Sequence, residues 1–173
     1  MEALAPTGVE ATYGFVHFQN LAVGMLPIDD QGMTWLVGQH RFTSGQYSWE
    51  IPEGGGDPER PPLEAAKREL AEEVGLGAST WVEIMADVYL SNSVTDERGF
   101  AFLATDLHPV TGGAKDDVEA LAVRKLEVCE LVRLVLSGEI TDAFAQLIVL
   151  RARALALEGR IGGVAGDALR API

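Results

Sequence analysis

The chain has 173 residues with 26 acidic and 13 basic side chains, and its formal net charge is -13 at pH 7. This length fits one domain with its own hydrophobic core, and the charge argues against nucleic acid or an anionic membrane as the main partner. Phosphorylated small molecules stay compatible with such a chain if a divalent cation lies between its carboxylates and their phosphates.

The cysteine content and the N-terminal residues bear on location. Cys129 is the single cysteine, so an intramolecular disulfide is excluded. The first residues lack the basic start and apolar run of a secretory signal, and no apolar run reaches the roughly 18 to 20 residues of a membrane-spanning helix. We therefore expect a cytoplasmic protein with no membrane partner.

The first part of the chain is predicted to form strands. Two apolar and aromatic runs, 14–26 and 33–42, flank the turn residues of LPIDDQG, and this arrangement predicts a β-hairpin. In the following TSGQYSWEIP, Tyr47, Trp49 and Ile51 alternate with other residues as in a half-buried strand.

A helix is predicted from Leu63 to Val74, because good helix formers follow two prolines and precede Gly75. Beyond it, the pattern predicts strands at 81–91 and 99–107 around the loop NSVTDER, a loop at HPVTGGAKDD (108–117) and a strand at VEALAVRKL (118–126). Two helices follow at 127–136 and 142–157, separated near Gly138. We predict one domain over residues 1–160 and a C-terminal tail, 161–173, whose role the sequence does not reveal.

Three glutamates crowd the end of the first predicted helix. Glu69 and Glu73 project from neighbouring points beside the buried stripe, and Glu72 lies about 60° further round. Like charges at this spacing repel by a few tenths of a kcal/mol per pair. Ion pairs of Arg68 with Glu64 and Glu72 are typical of a solvated helix face, but they leave Glu69 and Glu73 adjacent.

The glycines of IPEGGGD favour a functional interpretation of this cluster. Three consecutive glycines directly after a strand are costly unless the backbone turns sharply or approaches a ligand closely. Mg²⁺ prefers one or two carboxylates together with water and phosphate oxygens, and it can lower the pKa of a bound water. The residues therefore point to hydrolysis at a phosphate.

The segment from Gly54 to Leu76 resembles the signature of the Nudix hydrolases. Eight of the nine fixed positions of that signature match in register: Gly54, Arg68, Glu69, Leu70, Glu72, Glu73, Gly75 and Leu76. Arg60 is the one departure, since the family has glutamate there and Glu59 stands one residue out of phase. We hypothesise that Arg60 alters the loop or weakens metal binding without abolishing activity.

The resemblance implies roles for these residues. Glu69 and Glu73 would be the principal ligands of Mg²⁺ or Mn²⁺, and the backbone carbonyl of Glu53 or of Gly54 would be a further ligand. Glu72 would bind an additional metal or act as a base near the attacking water, while Arg68 would orient the glutamates.

Flanking residues are similar to the branch that contains ADP-ribose and other nucleoside diphosphate sugar pyrophosphatases. In that branch an arginine and a glutamate ahead of the signature grip the substrate, and Arg41 and Glu50 occupy the matching positions. The loop VTDERGF resembles the loop that brings a glutamate to the active site, so Glu97 is the candidate general base. Extra N-terminal strands exchange between subunits in this branch, and only about a dozen residues precede the first strand predicted here, which leaves a homodimer open.

Taken with the resemblance, the sequence predicts a Nudix-type α/β/α sandwich with a mixed β-sheet. The predicted reaction is metal-dependent hydrolysis of the diphosphate of ADP-ribose or a related nucleoside diphosphate sugar, giving a nucleoside monophosphate and a sugar phosphate. The alternatives are hydrolysis of dinucleoside polyphosphates, nucleoside triphosphates or coenzyme A, and a regulatory module that binds a nucleotide sugar without cleaving it.

Overall fold

A computed structural model of the chain describes residues 2–110 and 121–173, and over these residues it shows an α/β fold. The strands are β1 (Glu2–Leu4), β2 (Glu10–Thr12), β3 (Leu21–Pro27), β4 (Met33–Arg41), β5 (Gln46–Glu50), β6 (Glu53–Gly56), β7 (Leu76–Tyr89), β8 (Arg98–Pro109) and β9 (Ala122–Glu127). The α-helices are α1 (Pro62–Glu69), α2 (Val128–Leu136), α3 (Ala143–Leu157) and α4 (Gly163–Arg170).

Within the described part of the chain, the strands form a mixed four-stranded sheet and two smaller antiparallel sheets. The mixed sheet has the order β6-β3-β8-β7, with β3 and β8 parallel and the other neighbours antiparallel. The second sheet has the order β5-β4-β9, and β1 pairs with β2 alone. The predicted α/β class with a mixed sheet is confirmed.

Helices cover both faces of β3, which is why this strand is buried almost throughout. Val23 and Met25 belong to the apolar cluster that also holds Ala66 and Leu70 of the signature segment. On the opposite face, Gly24 leaves room for α3, because a Cβ there would lie 2.5 Å from Cδ1 of Ile148. The sheet is therefore sandwiched between α1 and α3.

The predicted hairpin of the runs 14–26 and 33–42 is wrong. Strands β3 and β4 form where expected, but they belong to different sheets, since β3 pairs with β6 and β8 while β4 pairs with β5 and β9. The reason is that β3 is a central strand buried on both faces, and its partners come from distant parts of the chain. The structure also has two strands, β1 and β2, where the sequence predicted none.

The predicted helix 63–74 consists of two parts. It is α-helical in α1, then continues as a π-helical turn from Leu70 to Val74, and it stops at Gly75, whose φ of 74° is left-handed.

The strands predicted at 81–91 and 99–107 pair antiparallel as β7 and β8, and the two predicted C-terminal helices are α2 and α3. Most of the loop predicted at HPVTGGAKDD lies in 111–120, outside the described residues.

The C-terminal segment, in which the sequence showed no periodicity, forms α4 and packs on the core. Ala165 and Leu169 of this helix are buried in the same apolar cluster as α2 and α3. Among the described residues, no helix combines the length and the apolar character that crossing a membrane requires.

Candidate active site

A cavity of about 650 Å³ opens beside the signature segment, where β3 and β6 of the mixed sheet approach β4 of the second sheet. Most residues predicted to act on substrate or metal line it: Arg41, Glu53, Gly54, Arg68, Glu69, Glu72, Glu73 and Glu97. The structure therefore brings together residues from four separate segments of the chain. Glu50 lies behind Arg41 and is only 3% exposed.

The three glycines at 54–56, which we name the glycine loop after its predicted form, lie in strand β6, and Gly54 packs closely against Glu69. A Cβ at Gly54 would lie 2.1 Å from Cδ and 2.2 Å from Oε1 of Glu69, so a side chain at this position would displace the carboxylate. Burial raises the pKa of Glu69, the neighbouring Arg68 opposes this increase, and the charge of Glu72 adds to it. A cation bound beside the glycine backbone would favour the ionised form of this carboxylate and so offset the effect of burial.

Arg68 holds the acidic residues of the signature segment in place. Its Nη1 donates to Oε2 of Glu72 at 2.7 Å, and its Nη2 donates at 2.7 Å both to Oε1 of Glu69 and to the carbonyl oxygen of Gly55. One guanidinium thus links two glutamates to the glycine loop. Glu64, which the sequence paired with Arg68, forms its ion pair with Arg60 at 2.8 Å.

The π-helical turn carries Glu72 and Glu73. The backbone N–H of Glu53 donates to Oε2 of Glu73 at 3.1 Å, so this glutamate reaches the strand β6 on which the predicted carbonyl ligands lie. A π turn contains more residues than an α-helical turn, so it changes the direction of the side chains that follow it, and such turns are frequent at functional sites. Helical periodicity alone predicted a regular α-helix here.

Arg41 and Glu50 form a fork-shaped ion pair under the cavity. Nε of Arg41 donates to Oε1 of Glu50 at 2.9 Å, one of its Nη atoms donates to Oε2, and that Nη also contacts Oε1 of Glu53 at 3.2 Å. The predicted alternation holds in part, because Ile51 is buried but Tyr47 is exposed, and Ser48 and Glu50 are buried on the other face of the strand. Glu50 is the reason: its buried carboxylate needs the guanidinium of Arg41.

A third acidic group, which the sequence analysis missed, stands beside this pair. Asp142 lies at the start of α3 and its Oδ2 accepts a hydrogen bond from the backbone N–H of Ala145 at 2.6 Å. Oxygen atoms of Glu50, Glu53 and Asp142 all lie within 4.8 Å of one another, and we name these three residues the acidic triad. An aspartate before a helix predicts an N-cap, but nothing local indicates what else its carboxylate faces.

The acidic triad perturbs its neighbours. Burial raises the pKa of Glu53 well above its ordinary value, and the charges of Asp142 and then Glu50 raise it further. Glu97 lies just ahead of β8, and the pKa of its carboxyl is also raised, first by burial and then by Asp142. The candidate base therefore stands close enough to Asp142 to respond to its charge.

The residues present fit a divalent cation. Glu69, Glu72 and Glu73 line the cavity and offer carboxylate oxygens, which are the ligand atoms that a hard ion such as Mg²⁺ or Mn²⁺ prefers. Because Gly54 lies close to Glu69, the backbone of β6 that carries the predicted carbonyl ligands runs beside this carboxylate. Arg60 does not line this cavity, and its side chain is 67% exposed.

Comparisons with known proteins show which family the chain resembles. A NUDIX domain model matches residues 19–143. The chain is 38% identical over 136 residues to an ADP-ribose pyrophosphatase of Mycobacterium tuberculosis, covering 78% of this chain and 65% of that protein. It is 32% identical over 123 residues to an ADP-ribose pyrophosphatase of Bacillus subtilis, covering 70% of this chain and 66% of that protein. The matched part thus spans slightly less than two thirds of both relatives.

A solved structure shares the fold. The crystal structure of an ADP compounds hydrolase superposes with a TM-score of 0.79 at 24% identity, covering 92% of this chain and 86% of the other. The family model covers most of the chain, and it includes the whole signature segment. The chain belongs to the Nudix family.

Proposed function

We propose that this protein is a metal-dependent pyrophosphohydrolase that cleaves the diphosphate linkage of ADP-ribose or a related nucleoside diphosphate sugar. The products are a nucleoside monophosphate and a sugar phosphate. The observation that carries the proposal is the set of carboxylates lining one cavity, which Arg68 links to the glycine loop. The similarity to ADP-ribose pyrophosphatases of two bacteria supports the substrate class.

In this proposal, Glu69, Glu73 and Glu72 hold Mg²⁺ or Mn²⁺ together with the backbone carbonyl of Glu53 or Gly54. The ion supplies charge neutralisation for the diphosphate and lowers the pKa of water. Arg68 fixes the positions of Glu69 and Glu72, so that the carboxylates stay close despite their repulsion.

Arg41 binds the diphosphate, and Glu50 fixes the orientation of its guanidinium from below. Glu97 takes the proton of the attacking water. Burial and Asp142 raise the pKa of Glu97, which strengthens it as a base relative to an ordinary glutamate. Glu72 is the second candidate for this step.

The test is a Mg²⁺-dependent cleavage screen with ADP-ribose, other nucleoside diphosphate sugars, dinucleoside polyphosphates, nucleoside triphosphates and coenzyme A. Glu73→Gln is assayed in parallel, and products are separated by chromatography. We expect nucleoside monophosphate and sugar phosphate from the natural protein and at least about 100-fold less from the variant. If the protein hydrolyses another substrate class faster, that class becomes the assigned substrate. If it binds a nucleotide sugar tightly without hydrolysing any substrate, the regulatory module is favoured.

We further propose a homodimer that involves β1 and β2. Every residue of both strands is exposed, Leu4 at 69% and Val9 of their connection at 62%, and an isolated two-stranded hairpin is marginally stable in water. Sedimentation of the natural protein should give twice the mass of the chain. Removal of residues 2–12 should give a monomer, and a dimer that survives this deletion would place the interface elsewhere. A cytoplasmic location and the absence of a nucleic-acid partner stay predictions.

A further inference from the structure

The segment 13–18, which we name the anchor segment, lies on the surface beside the loop that carries the candidate base. Every residue of the anchor segment is exposed, and Val16 forms an isolated parallel bridge with Thr95. The loop 91–97, which we name the Glu97 loop, is exposed in its first part and half-buried in its last three residues. Since neither segment is buried in the core, the order of both depends on the hydrogen bonds between them.

Backbone hydrogen bonds join the anchor segment to the Glu97 loop on both sides of this bridge. The N–H of Val16 donates to the carbonyl oxygen of Val94 at 2.8 Å, and the N–H of Asp96 donates to the carbonyl oxygen of Val16 at 3.3 Å. The hydroxyl of Tyr13 donates to the carbonyl oxygen of Ser93 at 2.8 Å. The anchor segment therefore lies along the loop and contacts the residue directly before the candidate base.

The side chain of Asp96 adds two contacts at the end of the loop. Its Oδ1 accepts a hydrogen bond from the backbone N–H of Phe18 at 2.9 Å, and its Oδ2 accepts one from Nδ1 of His17. The bond from His17 first, and then the bond from Phe18, lower the pKa of the Asp96 carboxyl below its ordinary value, so the group accepts both as an ionised carboxylate. One side chain thus holds two consecutive residues of the anchor segment.

Asp96 stands between two residues that line the cavity. Phe18 and Glu97 both contribute to the cavity wall, although they lie far apart in the chain. Strand β8 begins at Arg98, and the N–H of Leu90 donates to the carbonyl oxygen of Glu97 at 3.2 Å, so strand pairing holds the backbone of Glu97 on its C-terminal side. On its N-terminal side, Asp96 and the anchor segment hold it.

We propose that His17 and Asp96 are positioning residues for Glu97: together they hold the Glu97 loop so that the carboxylate of Glu97 faces the cavity. Neither of the two lines the cavity, so they act through Glu97. A base must lie within hydrogen-bond reach of the proton that it takes, and a displacement of about 1 Å costs on the order of 100-fold in rate. The catalytic part of this inference rests on the proposed function, but the holding of the loop does not.

The first experiment measures amide hydrogen exchange in the Glu97 loop by mass spectrometry, without substrate or metal. Asp96→Ala removes both acceptor oxygens, and His17→Ala removes one donor. The pair is exposed, and exposed ion pairs add little to global stability, so both variants should stay folded. His17→Asn is the rescue variant, because the amide nitrogen of asparagine is bonded to Cγ as Nδ1 of histidine is. Asp167→Ala is the matched control, since it removes an exposed ion pair with Arg170 outside the cavity.

We expect exchange in the Glu97 loop to be about fivefold faster or more in Asp96→Ala and His17→Ala, and close to the natural rate in His17→Asn and Asp167→Ala. The second experiment measures kcat and KM for Mg²⁺-dependent ADP-ribose hydrolysis. Asp96→Ala should lower kcat by about tenfold or more, and His17→Asn should recover most of the kcat that His17→Ala loses. In a Glu97→Gln background, Asp96→Ala should change kcat by less than about twofold, because the base that it positions is already absent.

Three results would overturn the proposal. They are natural exchange in the Glu97 loop of Asp96→Ala, an equal loss of kcat from Asp96→Ala with and without Glu97, and a natural kcat in Glu97→Gln. Each of these results leaves the hydrolysis itself in place. A natural protein that hydrolyses no nucleoside diphosphate sugar would instead refute the proposed function, and the exchange measurement would still decide whether His17 and Asp96 hold the loop.

Discussion

Gly54→Ala tests whether the close fit between the glycine loop and Glu69 determines activity. The new Cβ would lie 2.1 Å from Cδ of Glu69, whereas ordinary contact begins at 3.4 Å, so the carboxylate must retreat by about 1.3 Å, the difference between the two. A displacement of about 1 Å in an active site costs on the order of 100-fold in rate. We therefore expect kcat/KM for Mg²⁺-dependent ADP-ribose hydrolysis to fall by roughly 100-fold.

Gly55→Ala is the matched control for this experiment. A Cβ at Gly55 meets Nδ2 of Asn20 at 3.3 Å, and that flexible side chain can move aside, so activity should stay within a few-fold of the natural protein. Urea unfolding of both variants shows whether the folded state is preserved. If Gly54→Ala folds normally and hydrolyses ADP-ribose at the natural rate, the carboxylate of Glu69 does not need its observed position and the reasoning is refuted.

Three further predictions concern stability. Leu70→Ala empties a fully buried position under the π turn and should lower the free energy of unfolding by about 2 to 5 kcal/mol in urea titrations, and a loss below about 1 kcal/mol would contradict the packing. Arg60→Glu breaks an exposed ion pair with Glu64, so the same titration should show that the free energy of unfolding falls by less than about 1 kcal/mol. If the Mg²⁺ concentration required for activity is unchanged in this variant, Arg60 does not impair the metal site. Glu97→Gln should stabilise the protein in EDTA by a margin that grows as pH rises from about 4.5 to the raised pKa of Glu97 and then levels off, because the folded state binds that proton more tightly than the unfolded state and loses stability when the proton leaves. A gain that does not grow across this range would contradict the shift.

The sequence predicted the parts of the site that are contiguous in the chain. The signature segment contains both the glycine loop and the acidic residues, so their chemistry could be inferred from spacing, and the cavity brings them together. The sequence also allows the contact between Arg41 and Glu50 to be predicted, because the two residues lie on neighbouring strands joined by a short turn. Their roles toward substrate stay predictions.

Other features depend on contacts that no local pattern encodes. The π turn at Leu70–Val74 follows residues that favour an α-helix equally well, so periodicity could not identify it. The pairing of β3 with β8 depends on which strands become central in the sheet, and the turn residues after β3 suggested the wrong partner. Asp142 shows the same limit, because its own neighbours indicate a helix cap and its acidic partners lie far away in sequence.

The position of Asp142 follows from two glycines on adjacent strands of the mixed sheet. A Cβ at Gly99 of β8 would lie 2.9 Å from Cε2 of Phe144, and a Cβ at Gly24 of β3 would lie 3.1 Å from Cε1 of the same ring. The glycines therefore leave a slot that the ring of Phe144 fills, and this fixes the first turn of α3 against the sheet. Asp142 lies two residues earlier, so its carboxylate meets Glu53 because the core packs this way. The acidic triad is thus a product of packing between the sheet and α3, while the signature segment carries its chemistry in its own sequence.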